Sequence, residues 1–333
     1  KMKSILVTGG AGYVGSGLLS ELLSKGYRVT CIDNLIFGGE SLLNIWYNQN
    51  FTFYNCDINN YEKLNEIFSK NNFDAVIHLA AIVGDPACKL YSKLAIETNW
   101  KSSLWLLERC KELGVSKFIF ASTCSNYGKM NDPEAYVDEN SILAPVSLYA
   151  ELKVKFEKYM LNEMKKDSRF SPTSLRFSTV YGLSPRMRFD LTVNEFTKDL
   201  SLGKELVIFG EKFWRPYCHV KDFSNAFITV LNSPNEKVAY NVFNVGDTKE
   251  NYTKQMLVNE IKKVLPNSQI KYVVKNDDPR DYRVNCDKIK KELGFKISMT
   301  VLDGIMEIKH VIQENIIKDP EDQKYYNIPH ERK

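Results

Sequence analysis

Short apolar segments alternate with amphipathic stretches through the first half of the chain. Six of these segments have the length and composition of buried strands, and the stretches between them repeat apolar residues at helical spacing. Strands are predicted at residues 4–8, 28–32, 51–55, 74–79, 117–121 and 173–177. Helices are predicted at residues 12–25, 61–70, 91–113 and 148–166. This alternation predicts an α/β fold built on a Rossmann-type doubly wound parallel sheet.

The pattern becomes less regular after about residue 180. A further helix is predicted within residues 215–231, and one more strand near residues 240–245. We therefore expect residues 1–180 to form a dinucleotide-binding domain. Residues 181–333 are expected to form mainly a smaller substrate-binding domain, with a return strand near 240–245. The final residues, 318–333, are polar and are expected to form a surface tail.

Composition narrows the class of protein only slightly. Of the 333 residues, 44% are hydrophobic and 26% are charged, which is ordinary for a globular protein. The net charge of +4 is spread over lysines that alternate with glutamates, so nucleic acid is not expected as a partner. No apolar run is long enough to cross a membrane, and no signal peptide is expected because the first strand starts at once.

The cysteines and histidines predict neither a disulfide framework nor a metal centre. The seven cysteines are an odd number without a Cys-x-x-Cys spacing, and the four histidines are scattered. Reduced thiols of this kind are typical of a cytoplasmic protein, which we therefore expect.

A glycine-rich turn joins the first predicted strand to the first predicted helix. Glycines at positions 9, 10, 12 and 15 let the backbone turn tightly and let a pyrophosphate approach the helix N-terminus. Asp33 follows the next strand, where a carboxylate accepts hydrogen bonds from both ribose hydroxyls of NAD and repels the 2′-phosphate of NADP. No basic residue directly follows Asp33. The motif therefore predicts NAD as the cofactor.

Tyr149 and Lys153 form the second informative motif. Positions i and i+4 share one helix face, so the lysine ammonium lies one turn from the phenol and lowers its pKa. A phenolate can remove a hydroxyl proton while a hydride leaves for the nicotinamide. Thr123 ends a strand about 25 residues earlier and is expected to hydrogen bond both the substrate hydroxyl and the phenol. The predicted catalytic residues are thus Tyr149, Lys153 and Thr123.

The chain resembles the extended short-chain dehydrogenases/reductases of the nucleotide-sugar epimerase and dehydratase family. The resemblance is carried by residues 8–15, 56–58, 78–81, 122–128, 149–153 and 215–222. It implies a Rossmann fold, bound NAD and a sugar nucleotide between two domains, with Asp57 meeting the adenine amino group. The cofactor-binding residues expected from the motifs and the resemblance are Gly9, Gly12, Tyr13, Val14, Asp33, Asn34, Asp57, Ile58, Leu79, Ala80, Ala81, Asn99, Ser122, Tyr149, Lys153 and Val180.

One departure from the family pattern narrows the chemistry. The 4,6-dehydratases of this family follow the threonine with an Asp-Glu pair, where this chain has Cys124 and Ser125. A thiol and a hydroxyl are poor replacements for a carboxylic acid and its conjugate base. The sequence therefore favours oxidation at C4 of a nucleoside-diphosphate sugar, by a 4-epimerase or a 4-dehydrogenase, over a 4,6-dehydratase.

Arginines in the second half are candidates for the substrate diphosphate. Arg186 and Arg188 follow a Ser-Pro turn and can form a bidentate clamp, although either can instead cover the surface or pair with Asp190. Arg215 and Arg280 match the phosphate-contacting arginines of the family. The expected substrate-binding residues are Thr123, Arg186, Arg188, Asn194, Arg215 and Arg280.

The substrate itself stays open between two nucleotides. Residues 82–89 and 186–194 resemble a sub-branch that includes GDP-heptose 4-dehydrogenases of capsular polysaccharide synthesis, whereas the wider family implies a UDP-hexose 4-epimerase. A non-catalytic NAD-binding sensor is a further alternative, but it would need neither Tyr149 nor Lys153. The apolar faces of the predicted helices 91–113 and 148–166 either pack on the sheet or, as the resemblance implies, form the four-helix interface of a homodimer.

Overall fold

The computed structural model describes residues 3–274 and 280–330. Its central layer is a seven-stranded, wholly parallel sheet in the order β10-β6-β5-β4-β1-β2-β3. The strands of this sheet are β1 (Ser4–Thr8), β2 (Arg28–Asp33), β3 (Phe51–Asn55), β4 (Ala75–His78), β5 (Lys117–Thr123), β6 (Ser171–Phe177) and β10 (Asn241–Val245). The predicted Rossmann-type fold is confirmed, and its first six strands lie within about two residues of their predicted ends.

Helices cover both faces of the sheet. On one face, α1 (Tyr13–Ser24) and α8 (Val220–Asn232) pack against β1, β2 and β6 through a shared apolar cluster. On the other face, α2 (Tyr61–Lys70), α5 (Ser103–Glu112) and α6 (Leu148–Lys158) enclose a second cluster rich in phenylalanine. Burial on both faces explains why the strands read as continuous apolar runs rather than alternating ones.

The predicted helix at residues 91–113 is divided in the structure. A short helix that the sequence did not predict, α3 (Asp85–Leu90), follows Gly84, whose φ of 89° favours glycine, and has Pro86 in its first turn. After it come α4 (Ser92–Ala95), a π-helical segment (Ile96–Ser102) and α5. A second π-helical segment, Tyr159–Glu163, follows α6. Periodicity alone did not show the break because apolar residues continue through it.

The second half of the chain adds β10 to the central sheet and also forms two smaller sheets. It forms a three-stranded sheet of β7 (Thr179–Tyr181), β9 (Trp214–His219) and β11 (Asn251–Thr253), and a two-stranded sheet of β8 (Leu206–Phe209) and β12 (Ile270–Val273). The helices of this half, besides α8, are α7 (Thr192–Ser201), α9 (Asn235–Val238), α10 (Lys254–Val264), α11 (Asp287–Leu293) and α12 (Val301–Gln313). Since α8 and β10 return to the central sheet, the domain boundary at residue 180 stays a prediction. Within the described residues, no helix has the length and apolar content needed to cross a bilayer.

The expectation of a surface tail at residues 318–333 is wrong for the part that the structure describes. Residues 319–330, which we name the C-terminal strap, run back over the segment that follows β7. Tyr326 is only 5% exposed and packs in a cluster with Tyr13 and Phe189. Lys198 donates to the Tyr326 hydroxyl at 3.0 Å. Tyr325 is partly buried in the same cluster, so this polar segment packs through two aromatic side chains. Residues 331–333 lie outside the described residues.

Candidate active site

The glycine-rich turn lies at the carboxyl end of β1, where the strand order of the sheet changes direction. A Cβ atom on Gly9 would lie 2.8 Å from the Ala80 nitrogen, and one on Gly15 would lie 2.5 Å from the Gly9 carbonyl oxygen. Gly9 also has a φ of 72°. Helix α1 begins after Gly12, and no side chain caps its first N–H groups. The turn is therefore a backbone cradle with free donors, which fits a diphosphate.

Asp33 organises the loops beside this cradle. Its Oδ2 accepts from the Ala11 N–H at 3.0 Å and its Oδ1 from the Leu35 N–H at 2.8 Å. Burial raises the pKa of the Asp33 carboxyl, and these two bonds oppose the rise. Each carboxyl oxygen keeps a further lone pair for a ribose hydroxyl. Asn34 donates to Asp57 at 3.2 Å, which places these two predicted cofactor residues together.

The loop after β4 forms the opposite wall of the crevice. The N–H groups of Leu79 and Ala80 donate to the Thr8 hydroxyl at 3.1 and 3.2 Å. Buried Asn99 accepts from the Ile82 N–H at 2.8 Å and donates to the Ile82 carbonyl at 2.9 Å. Asn99 therefore fixes this loop. The other predicted cofactor residues near the crevice are Val14 in α1, Ile58 after β3, Ala81 after β4 and Val180 in β7.

Tyr13 and Asn194 connect α1 to the segment after β7. The Tyr13 hydroxyl donates to the Gly182 carbonyl. The Asn194 amide donates to the Tyr13 hydroxyl at 3.2 Å and to the Arg188 carbonyl at 2.9 Å, and it accepts from the Gly182 N–H at 2.9 Å. Asn194 was expected to contact the substrate. Because it is fully buried and both of its donors are used, the structure makes it a positioning residue instead.

Tyr149 and Lys153 lie on the first turns of α6, which Ser147 caps by accepting from the Ala150 N–H at 3.2 Å. The Lys153 ammonium is 5.7 Å from the centre of the Tyr149 ring and donates to the Ala121 carbonyl at 2.8 Å. Burial lowers the pKa of Lys153 to about 8. Burial also raises the pKa of the Tyr149 phenol. No described residue hydrogen bonds to the half-buried Tyr149 hydroxyl, which is therefore available to a ligand.

The hydroxyls at the end of β5 have protein partners. The Thr123 hydroxyl accepts from the Ser125 N–H at 3.0 Å and donates to the Ser125 hydroxyl at 3.0 Å. The bond from Thr123 to the Tyr149 phenol that the sequence predicted is not formed. Ser122, expected at the cofactor, donates to the buried Glu157 carboxylate at 2.8 Å. Ser125 departs from the dehydratase pattern in the sequence, and in the structure it forms two hydrogen bonds with Thr123.

The four predicted arginines separate into two groups rather than converging on one point. Arg188 pairs with Asp190, as one of the alternatives had it, at 2.8 and 3.1 Å. Arg186 contacts the C-terminal strap. Arg215 instead donates to the Arg280 carbonyl. Their guanidinium groups therefore belong to two walls of the site, one after β7 and one beside β9. Asp278 and Pro279, which precede Arg280, lie outside the described residues.

Asp85 is a site residue that sequence reasoning missed. Its Oδ2 accepts from Arg280 at 2.9 Å, and its Oδ1 accepts from the Ser147 hydroxyl at 2.7 Å. One carboxylate thus joins a predicted phosphate-binding arginine to the capping residue of the helix that carries Tyr149. The charge of Asp85 is also one of the influences that raise the pKa of the Tyr149 phenol, after burial and Cys88. The Gly84-Asp85-Pro86 helix start was the only local signal.

A comparison with known protein families assigns the chain. The model described as "NAD dependent epimerase/dehydratase family" matches residues 5–246. This chain belongs to that family. The epimerase/dehydratase fold, the NAD cofactor and the enzymatic nature predicted from the sequence are therefore confirmed.

Curated relatives and solved structures are similar over nearly their whole length. A UDP-glucuronate 4-epimerase of Thermodesulfobacterium geofontis is 29% identical in an alignment 323 positions long that covers 93% of this chain and 96% of that protein. A UDP-glucose 4-epimerase of Bacillus subtilis is 28% identical, over 88% of this chain and 92% of that protein. The crystal structure of the Thermotoga maritima UDP-glucose 4-epimerase with UDP-glucose has a TM-score of 0.83 at 29% identity, covering 94% of this chain and 99% of that one.

The residues of the candidate site fit NAD. The cradle at Gly9 and Gly12 offers free helix N–H groups, which suit the diphosphate of a dinucleotide. Asp33 offers carboxylate oxygens for ribose hydroxyls, and the described residues 34–39 contain no basic side chain that would favour a 2′-phosphate. Tyr149 and Lys153 lie on α6, the helix that follows β5. The carboxyl end of strand β5 faces the same crevice as the glycine cradle.

Proposed function

We propose that this protein is an NAD-dependent 4-epimerase of a UDP-linked sugar. The observation that carries the proposal is the placement of Tyr149, whose hydroxyl has no described partner, 5.7 Å by its ring centre from the Lys153 ammonium on one helix. The names of the relatives and of the solved structures, UDP-glucuronate and UDP-glucose 4-epimerases, support the choice of substrate class and of the C4 position.

In this proposal Tyr149 is the base and then the acid of the reaction. NAD, which the glycine cradle and Asp33 would hold, would supply the acceptor and donor of the C4 hydride. Tyr149 accepts the proton of the C4 hydroxyl as the carbonyl forms. It returns a proton to that oxygen after the 4-keto sugar has rotated to present its other face. Because burial raises the phenol pKa, positive charge is needed to stabilise the phenolate; Arg188 lowers this pKa in the structure, and the Lys153 ammonium lies 5.7 Å from the ring centre. Thr123 and Ser125, already bonded to each other, orient the C4 hydroxyl.

Arginines of the second half would hold the substrate diphosphate. Arg215 and Arg280 lie together beside Tyr282, whose ring centre is 5.2 Å from the Arg215 guanidinium carbon. Guanidinium groups bind phosphate oxygens in a bidentate manner. Since Arg280 also bonds to Asp85, substrate binding would exchange a carboxylate partner for a diphosphate.

A 4,6-dehydratase is disfavoured by the surroundings of Cys124. This thiol is fully buried and donates to the Arg176 carbonyl at 3.2 Å. Burial raises the pKa of this thiol, so it stays neutral. Elimination of water across C5 and C6 needs a carboxylic acid and a carboxylate after Thr123, where this chain has Cys124 and Ser125.

We further propose a cytoplasmic homodimer. The seven cysteines are all unpaired, which fits a reducing compartment. Of the predicted helix faces, Leu106, Leu107, Phe156 and Met160 are fully buried against the sheet. Trp105 remains half-buried, stacked on Tyr61 at 4.7 Å, and with neighbouring Leu104 it leaves an apolar surface for a second copy. Light scattering of the purified protein checks the dimer.

Product analysis tests the function directly. The protein is incubated with UDP-glucose, UDP-glucuronate and a GDP-linked heptose, with and without a keto acid as hydride acceptor, and the products are followed by mass spectrometry and NMR. We expect a product of unchanged mass with inverted C4 from a UDP-linked sugar. Loss of two hydrogens that depends on the keto acid would instead establish a 4-dehydrogenase, and turnover of the GDP-linked sugar alone would overturn the proposed nucleotide.

A further inference from the structure

Helix α6 carries a buried carboxylate on the face that also carries Tyr149 and Lys153. Glu157 lies one turn after Lys153, and helix positions four residues apart share one face. Glu157 is 2% exposed, although glutamates are seldom fully buried unless they are paired. The proposed reaction does not itself use this carboxylate, so its burial beneath the site needs another explanation.

Three side chains from two strands hold Glu157. The Arg176 guanidinium donates to both carboxylate oxygens, from Nε at 3.0 and 3.2 Å and also from Nη2. The hydroxyls of Ser122 and Ser174 each donate to Oε2 at 2.8 Å. Since Arg176 is itself only 4% exposed, the ion pair is enclosed by the protein. Glu157 therefore joins α6 to both β5 and β6.

The partners of Glu157 lie on both sides of Thr123. Ser122, which donates to Glu157, directly precedes Thr123 at the end of β5. Cys124 directly follows Thr123 and donates to the Arg176 carbonyl at 3.2 Å. The buried ion pair is thus connected to the strand end that carries the hydroxyl expected to orient the substrate.

The same strand end also receives Lys153. The Lys153 ammonium donates to the Ala121 carbonyl at 2.8 Å, and Glu157 accepts from the next residue, Ser122. Two side chains one helical turn apart are therefore bonded to two successive residues of β5. Two such attachments fix both the rotation of α6 about its axis and its height along the strand.

Directional bonds supply what apolar packing at this place would not. A buried ion pair rarely adds stability over apolar side chains of the same volume, because both charges lose their hydration. Apolar contacts have no preferred direction, whereas hydrogen bonds restrict both distance and angle. General acid–base catalysis needs the acid or base within hydrogen-bond reach of the reacting hydroxyl.

We propose that Glu157 is a positioning residue: through Arg176 and Ser122 it fixes α6 on the end of β5, so that Tyr149 and Thr123 reach the same sugar hydroxyl. The inference rests on the proposed function, because it assigns the alignment of that reaction to a carboxylate that does not touch the substrate.

The first test compares Glu157→Gln with a matched loss of a buried charge. Lys117 lies at the opposite end of β5, is buried, and donates to the Val230 and Leu231 carbonyls at 2.8 and 3.0 Å. Glu157→Gln and Lys117→Met should both unfold at a lower temperature. Assayed well below that temperature, Glu157→Gln should lower kcat at least about tenfold and change KM by less than about twofold, because misalignment acts on the chemical step. Lys117→Met should keep its kcat.

A measurement without substrate separates positioning from stability. The phenol is titrated by NMR with isotope-labelled tyrosine in the NAD-loaded protein, and Tyr149→Phe identifies the Tyr149 resonance. Burial raises the pKa of this phenol, and the titratable or charged groups near it are Cys88, Asp85, Arg188, Tyr282 and Lys153. We expect Glu157→Gln to raise the pKa further, because a displaced α6 moves the phenol away from the Arg188 guanidinium. Lys117→Met should leave the titration unchanged.

Ser122→Ala keeps the inference testable if Glu157→Gln does not fold. It removes the bond between β5 and Glu157 but leaves the ion pair whole, and we expect the same upward shift of the phenol pKa with a kcat about three to ten times lower. Thr173→Val is its control, because the buried Thr173 hydroxyl donates to the Val238 carbonyl at 2.8 Å on β6.

An unchanged phenol titration in the folded variant would overturn the inference, whatever the loss of stability, since Glu157 would then serve the fold alone. The titration needs no substrate. Failure of the proposed epimerase activity would therefore leave its outcome unaffected.

Discussion

Two sides of the candidate site are built differently: the cofactor edge, formed by the glycine turn and Asp33, and the substrate wall, formed by arginines of the second half. At the cofactor edge, residues 9–15 and Asp33 are close in sequence and act through backbone groups and one carboxylate. On the substrate side, Arg188 on one wall and Arg280 on the other come from distant segments and already form ion pairs with Asp190 and Asp85.

This difference has a consequence for ligand binding. The cradle at the start of α1 has free N–H groups and needs no rearrangement to receive a diphosphate. The arginines of the substrate wall must exchange a protein carboxylate for a ligand phosphate. We therefore expect substitutions at the cofactor edge to act through backbone shape, and substitutions at the wall to change affinity by modest amounts.

The largest effect is expected where the two regions meet, at Tyr149. Tyr149→Phe should fold and retain NAD but lose at least about a hundredfold in turnover, because general acid–base catalysis contributes about that much or more. Steady-state kinetics and the absorbance of bound cofactor measure both properties. Tyr159→Phe is the matched control, since the Tyr159 hydroxyl donates to Glu108 away from the crevice. Near-normal turnover of Tyr149→Phe would refute its role as the base.

A smaller effect is expected from the backbone of the cradle. Gly15→Ala should weaken NAD binding at least about tenfold, because the new Cβ would lie 2.5 Å from the Gly9 carbonyl oxygen and displace the start of α1. Gly17→Ala, in the same helix, meets no atom within 4 Å and should bind NAD normally. It should also gain about 0.5–1 kcal/mol of stability. Calorimetric titration and thermal unfolding measure these outcomes, and equal NAD affinity in the two variants would argue against a tightly packed cradle.

The smallest effect is expected at the substrate wall. Asp85→Asn removes one carboxylate partner of Arg280, and a partly exposed ion pair is worth about 0.5–1 kcal/mol, so UDP should bind about two to five times more tightly. The variant also removes a negative charge that raises the Tyr149 pKa, so turnover should reach half its maximum at a lower pH. Asp167→Asn, at the exposed Arg169 pair, is the control. Weaker UDP binding would mean that Asp85 positions Arg280 for the substrate rather than competing with it.

Local sequence is sufficient to predict those parts of the structure that are formed by residues close together in the chain. The strand ends, the glycine turn and the Tyr149–Lys153 spacing depend on short periodic patterns, and the structure places them at one edge of one sheet. The prediction was less accurate for side chains whose partners lie far along the chain. Thr123 bonds to Ser125 rather than to the phenol, and Asn194 is buried beneath the site.

The class of fold, the NAD-binding turn and the proposed pair of Tyr149 and Lys153 are readable from the sequence alone, because each is encoded within a few dozen residues. The pairing of the arginines and the packing of the C-terminal strap over the segment after β7 depend on the folded chain. The Arg186–Asn327 contact spans 141 positions, and the Asp85–Arg280 contact spans 195. No local pattern records such contacts, since they form only when the folded sheet brings distant segments to the same edge.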